Sequence, residues 1–413
     1  MKNYVKRLAP HYDFGLLITY IVLLAFGLMM VYSSSMVWAM NYYDRPPNSF
    51  FVKQALHAAV GLILFAVGSW VPLKLYREKW FIVSFMVLTF FGLGIVHFIG
   101  AGDAVGARSW VYTPFGSIQP SEFAKVFVIV YFASFFAKKA ERGTLDDVNR
   151  TFIPAFLVLS IIVISIMLET DIGATLIVGS VSLAILIASG ITIQGFTKIF
   201  KWVFPLLAVG GLVIFLAWDK VMTDGRLGRF LAFLDPFEYK EGSGLQIVNS
   251  YIAIGNGGLL GNGLGKSVQK TGYLPEPHTD VILAVISEEL GVFGVGIVLI
   301  GLFIIVAKAM NVAISTDQPY IRMVATGIGS LFAIQTFINV GGMTGIIPLT
   351  GVTLPLISYG GTSLMLLSFL VGMLMNIKMT VGVREEILSK RKKEKQPTTQ
   401  TPYLRVVPSK NNH

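Results

Sequence analysis

Ten stretches of this chain are apolar for long enough to cross a lipid bilayer, and no other feature limits its fold so tightly. Their approximate limits are 14–35, 51–71, 80–100, 121–137, 152–168, 172–189, 201–218, 281–307, 321–343 and 355–377. Each is near the roughly 20 residues that a helix needs to span the hydrocarbon. Backbone in that medium must satisfy its own hydrogen bonds, so each stretch is expected to be helical. The expected fold class is an all-α polytopic membrane protein of about ten transmembrane helices. The fifth and sixth stretches are short, and only Glu169-Thr170-Asp171 separates them. They read as a tight hairpin with an acidic turn, against one long helix. Charged residues are 14% of the 413, where a soluble domain carries about 25%. The absence of cysteine excludes disulfides, thiolate metal sites and cysteine nucleophiles. The apolar run after Lys2, Lys6 and Arg7 is span-length and lacks a small-residue cleavage site, so no cleavable signal peptide is expected.

Charge orients the bundle. With the N-terminus inside, the inner segments hold Lys74, Arg77, Lys79, Lys138, Lys139, Arg142, Arg150, Lys198, Lys201, Lys308, Arg322 and the basic tail. The short outer loops hold only Arg45, Lys53 and Arg108. Lys and Arg in short loops mark the cytoplasmic side, so both termini are expected there. The net charge of +10 therefore reflects topology and not nucleic-acid binding. Residues 1–378 read as the transmembrane domain. Residues 379–413 read as a basic, disordered cytoplasmic tail able to touch anionic lipid.

One large loop, 219–279, falls on the outer face. It holds a basic patch (Arg226, Arg229), an Asp-Pro-Phe turn at 235–237, and a short amphipathic helix over 245–254 that lies on the membrane or caps the bundle. Glycines at 255, 257, 258, 261, 263 and 265 then read as tight loop packing. The loop ends in KTGYLPEPHTD and runs at once into the apolar stretch from Val281. Pro275 and Pro277 stiffen it. Thr279 or Asp280 could cap the following helix. The functional alternative makes Asp280 a carboxylate at the membrane surface, its pKa raised by burial or lowered by a neighbouring cation.

Charges at membrane depth are costly and usually pair. Glu122 and Lys125, three apart on one helix face, read as a mutual salt bridge or as Lys125 facing a phosphate. Glu288 and Glu289 read as structural. Asn339, Thr362, Ser363 and Asn376 read as interhelical hydrogen-bonding groups. Arg108 and Trp110 read as a solvated charge and an interfacial anchor, or as a cation and a flat ring suited to a pyrophosphate and a sugar.

Nine stretches in order resemble the SEDS family (shape, elongation, division and sporulation): GLMMVYSSS (27–35), GARSW (106–110), QPSEFAK (119–125), DIGAT (171–175), FLDPF (233–237), SYIAIGNGGLLGNGLG (250–265), YLPEPHTD (273–280), SEELG (287–291) and GVTLPLISYGGTS (351–363). The resemblance covers Tyr12 to about Asn376, and favours the division-type members over the elongation type. It implies a glycosyltransferase that polymerises lipid II, a disaccharide-pentapeptide on undecaprenyl pyrophosphate, outside the cytoplasmic membrane. It carries the family's essential aspartate onto Asp280. Arg108, Trp110, Lys125, Arg229, Lys270 and His278 follow as substrate-binding residues, and Glu122, Glu276, Asp171 and Glu288 as support. The implied partners are a class B penicillin-binding transpeptidase and other divisome membrane proteins.

A carboxylate within reach of a sugar 4-hydroxyl can take its proton as general base. An α-linked donor and a β-linked product fit direct displacement with inversion, for which one carboxylate suffices. The leaving pyrophosphate needs cations: Arg229, Lys270 and Arg108 are candidates, or a divalent ion such as Mg or Mn. No cofactor is required by the sequence. A lipid II flippase and a non-catalytic scaffold are the competing classes. Against the flippase stand the outer-side clustering of ionisable groups and the lack of inverted halves.

Overall fold

The computed structural model describes residues 2–100, 109–113, 116–201 and 224–395. Short helix α1 (Lys2–Leu8) leads to α2 (Phe14–Tyr43), α3 (Ser49–Trp70) and α4 (Lys79–Ile99). A small antiparallel hairpin, β1 (Val111–Thr113) and β2 (Gly116–Ile118), precedes α5 (Pro120–Glu141), α6 (Ile153–Leu168) and α7 (Ile172–Ala188). Then come α8 (Asp224–Leu234), α9 (Leu245–Gly257), α10 (Ile282–Ser315), α11 (Pro319–Met343) and α12 (Gly361–Lys395).

Among the described residues eight helices are long and apolar enough to cross a membrane, and α7 is a shorter apolar helix. The seventh expected span, 201–218, lies almost wholly outside the described residues. The acidic hairpin stands: α6 ends at Leu168, Thr170 takes a left-handed φ of 66°, and Asp171 caps α7 by accepting from the Ala174 N–H at 2.8 Å.

Three expectations change. The apolar run from Val281 is not one straight helix, because Gly291 (φ 63°, ψ −158°) breaks α10 into a short buried piece and a long spanning piece. Only glycine adopts that conformation without strain. The tail does not become disordered at 379, since α12 stays helical to Lys395. And the segment after Trp110 forms the β1–β2 hairpin, which the all-α reading did not anticipate.

One end of the bundle is tied by charges. Asp13 pairs with Lys308 (2.8 Å) and with Lys378. Burial pulls the Asp13 carboxyl upward, but hydrogen bonds from those two ammonium groups hold it at about 2. Arg77 pairs with Glu141 (2.9 Å), Lys139 donates to the Arg150 carbonyl (2.8 Å), and Arg322 to that of Ser189 (3.3 Å). These are the segments that the charge pattern assigns to the cytoplasm. Within the bundle, the Asn376 amide donates to the Gly68 and Val71 carbonyls (3.2 and 2.6 Å), so this residue does join α12 to α3.

Candidate active site

At the opposite end the chain approaches α10 through a turn stiffened by Pro275 and Pro277. Glu276 takes a left-handed φ of 42°, and the Thr279 N–H donates back to its carbonyl (3.1 Å). The Tyr359 N–H donates to the His278 carbonyl (2.8 Å), fastening this turn to the loop before α12. One side chain on α11 completes the anchorage. The Asn339 amide donates to the Asp280 carbonyl at 2.6 Å and to the Val352 carbonyl at 2.7 Å. Backbone carbonyls from two loops thus meet on a single buried amide.

The Asp280 carboxyl is 9% exposed. Its Oδ1 accepts from Gln246 Nε2 of α9 (2.9 Å) and lies 3.1 Å from Thr279 Oγ, whose hydroxyl is also 2.8 Å from the Glu276 carbonyl. The capping role does not hold: Val281 occupies the N-cap of α10, and no side chain accepts from the first turn. The carboxyl is engaged by α9 instead. Burial raises its pKa, while the bonds from Thr279 and Gln246 and the charge of Arg229 oppose the rise. Of the two shifts left open by the sequence, burial wins. An exposed Arg229 on α8 is therefore the described cation that acts on this carboxylate.

Two expected ligand groups are turned to other work. Lys270 is 1% exposed, and its ammonium donates to Glu289 Oε1 (2.6 Å) and Ser33 Oγ (2.9 Å). It joins α2 to the start of α10 and is not placed to face a pyrophosphate. His278 packs between the rings of Phe50 (centroids 4.4 Å) and Tyr359 (5.5 Å). Burial drives its pKa down to about 3, so the ring is neutral at physiological pH. It is a packed spacer under the turn.

Glu288, one of the carboxylates expected to give support, is heavily bonded. Glu288 is fully buried and accepts from the Ser267 hydroxyl, the Gln269 and Val268 N–H groups (3.2 and 3.3 Å) and the Asn256 amide (3.5 Å). The glycine passage packs backbone to backbone against the same piece of α10. Asn262 and Gly263 N–H groups donate to the Glu288 and Glu289 carbonyls (both 2.9 Å), the acceptors that the helix break releases. A Cβ on Gly257 would lie 1.9 Å from the Ser287 carbonyl. Tight packing, and not a phosphate cradle, explains this stretch.

A second polar group of residues gathers where α5, α7 and the hairpin meet. Glu122 and Lys125, both buried, form the salt bridge of the structural reading (2.7 Å). Gln119 donates to Asp171 Oδ2 (3.1 Å), and the Thr362 hydroxyl donates to the Ser117 carbonyl (3.1 Å). Half-buried Trp110 opens the hairpin. Its neighbour Ser109 donates to the Glu169 carbonyl (3.2 Å). Glu169 itself is 1% exposed with no partner on either oxygen among the described residues, and burial, helped by Asp171, pushes its pKa up to about 8. Arg108 lies outside the described residues, and Glu276 is exposed on the turn.

Gln246 escaped the sequence reading. Gln246, Asn249 and Ser250 fall at i, i+3 and i+4, one face of a helix. Asn249 on that face donates to the Tyr273 carbonyl (2.6 Å), so the polar stripe marks the side of α9 that meets the 273–280 turn. As for the divalent ion, no group of three His, Asp or Glu side chains gathers to hold a metal among the described residues.

Fold and site define a multi-pass membrane protein with an oriented, buried carboxylate at the end of its bundle opposite the Asp13–Lys308 ties. The sequence profile of the FtsW, RodA and SpoVE cell cycle proteins matches residues 14–382, and the chain belongs to this family, the SEDS proteins of cell division and shape. It is 41% identical over 397 residues to the probable peptidoglycan glycosyltransferase FtsW of Bacillus subtilis, covering 94% of this chain and 95% of that one. It is 37% identical over 375 residues to stage V sporulation protein E of the same organism, covering 90% and 98%. Among solved structures, a chain of a peptidoglycan synthase complex superposes with a TM-score of 0.67 at 21% identity, covering 89% and 97%. The rod shape determining protein RodA of Thermus thermophilus gives 0.59 at 20%, covering 89% and 96%, which speaks for the fold alone. The protein is thus a multi-pass protein of the cytoplasmic membrane, acting at the division site.

Proposed function

We propose that this chain is a peptidoglycan glycosyltransferase that polymerises lipid II during septal wall synthesis, with Asp280 as general base. The observation that carries the reading is the Asp280 carboxyl. It is nearly dry, its backbone is pinned by Asn339 and its side chain is oriented by Gln246. An acceptor 4-hydroxyl at this point loses its proton to the carboxylate as its oxygen bonds to the donor's anomeric carbon. The bond to the pyrophosphate breaks on the opposite face, with inversion. Arg229 is the described cation suited to the developing charge of the leaving group. The relatives' names and the family match support the reaction; the mouth supports the choice of residue.

The same reading gives ten spans, adding α7 and 201–218 to the eight long helices. The 219–279 loop is then extracellular, residues 1–378 form the catalytic domain, and the basic 379–413 segment is cytoplasmic. Lipid II is the substrate. A class B penicillin-binding transpeptidase and other divisome membrane proteins are the partners.

Asp280→Asn tests the assignment, because asparagine keeps the shape and loses the basicity. Polymerisation of labelled lipid II should fall by roughly two to four orders of magnitude, with membrane level and transpeptidase binding retained. Near wild-type polymerisation by this variant would remove Asp280 as base. Translocation of lipid II by the wild type without glycan product would favour a flippase.

A further inference from the structure

The two oxygens of Asp280 are treated differently. Gln246 Nε2 and Thr279 Oγ both lie within donor range of Oδ1, and among the described residues no side chain donates to Oδ2. Thr279 has one hydroxyl hydrogen, and its Oγ is also 2.8 Å from the Glu276 carbonyl. A single hydrogen serves one acceptor at a time, and the shorter contact is the one to Glu276. Gln246 is then the donor committed to Oδ1.

The helix that carries Gln246 is itself held firmly. Ile247, Val248 and Ala253 of α9 are buried, Asn249 is bonded to the turn at Tyr273, and Gly257 abuts the Ser287 carbonyl of α10. A carboxylate on two short torsions turns freely unless one oxygen is fixed. Fixing Oδ1 from a rigid helix fixes Oδ2 as well.

We infer that Gln246 is a positioning residue which, by holding Oδ1, presents Oδ2 to the acceptor hydroxyl. The inference rests on the general-base reading of Asp280. In the step, the hydroxyl O–H bond breaks and its proton goes to Oδ2. The freed electron pair forms the new bond to the anomeric carbon, and the pyrophosphate leaves with the pair of the old one. Gln246 neither gains nor loses a proton. Its amide stabilises the ionised form of Asp280 before the transfer.

The test uses the full-length protein with its transpeptidase partner and labelled lipid II. It follows kcat, KM and the pH profile for wild type, Gln246→Met, Gln246→Glu and Asp280→Asn. Both Gln246 variants keep the side chain's length; methionine has no donor, and glutamate donates only when protonated. A mis-aimed base costs roughly ten- to hundredfold in kcat, so that loss is expected for Gln246→Met, with KM within about twofold. The acid limb of its profile should move to higher pH, and further still for Gln246→Glu, where a second carboxylate faces the first. A purely structural role would lower kcat and membrane level together and leave the acid limb in place, which would overturn the inference. So would unchanged kcat in both variants, or failure of Gln246→Met to accumulate. If Asp280→Asn polymerises normally, the general-base reading fails instead, whatever Gln246 does.

Discussion

Lys125 and Glu122 form a closed pair, and its members differ in what their loss exposes. Removing Lys125 leaves a carboxylate buried near Asp171, and breaking a buried pair costs about 3–5 kcal/mol. Lys125→Ala should therefore lower membrane level and thermal stability far more than Trp110→Ala, and adding Glu122→Gln should restore much of the loss. Equal unfolding temperatures for Lys125→Ala and wild type would count against a structural pair. Glu169 offers a pH test. Its folded pKa is raised, so the stability tied to its protonated form is present below its ordinary value near 4.5 and is lost as pH rises through about 8. Wild type should lose unfolding temperature between about pH 4.5 and about 8, and Glu169→Gln should lose markedly less. A chain read alone shows which charges lie at membrane depth, and the i, i+3 spacing of Glu122 and Lys125 makes their pairing legible. Lys270 was misread because Glu289 meets it only after the loop folds back on α10. His278 was misread because nothing in the sequence places Phe50 against it.

Among the elements, the joint between α9, the glycine passage and α10 controls where Asp280 sits. Gly257 touches the Ser287 carbonyl, whereas a Cβ on Gly255, two residues earlier on the same helix, would meet nothing within 4 Å. Gly257→Ala should push the passage off α10 and lower both unfolding temperature and polymerisation. Gly255→Ala should be neutral or stabilising by about 0.5–1 kcal/mol, the helix-propensity gain of alanine. Similar losses in the two variants, read by thermal unfolding, would refute this account of the joint. The amphipathic pattern made α9 legible, and of its two readings the bundle-capping one holds, with Ile247, Val248 and Ala253 buried. The break at Gly291 was hidden: the glycine stands inside one span-length run from Val281, and hydropathy carries no record of backbone direction.

At the scale of the molecule, basic loops are gathered at one end and the candidate site at the other. Single cysteines report this directly in a chain that has none. An impermeant thiol reagent applied to intact cells should label Ser243→Cys and leave Thr144→Cys unlabelled until the membrane is opened. The reverse pattern would invert the orientation. That the chain is an all-α, multi-pass membrane protein was legible because bilayer thickness is written along the chain one segment at a time. The depth of Asp280 in its mouth was not, since it depends on Asn339, Val352 and Gln246 arriving from three other segments.

The Ser33–Lys270–Glu289 contact has a consequence for how this sequence can change over time. Substituting Lys270 alone strands a buried carboxylate, and substituting Glu289 alone strands a buried ammonium. An apolar replacement of the whole set would be tolerated, yet every path to it passes through a crippled intermediate. Drift at this junction is therefore pushed back towards its starting point, and a lineage that escapes must change helix α2, the loop and helix α10 almost together.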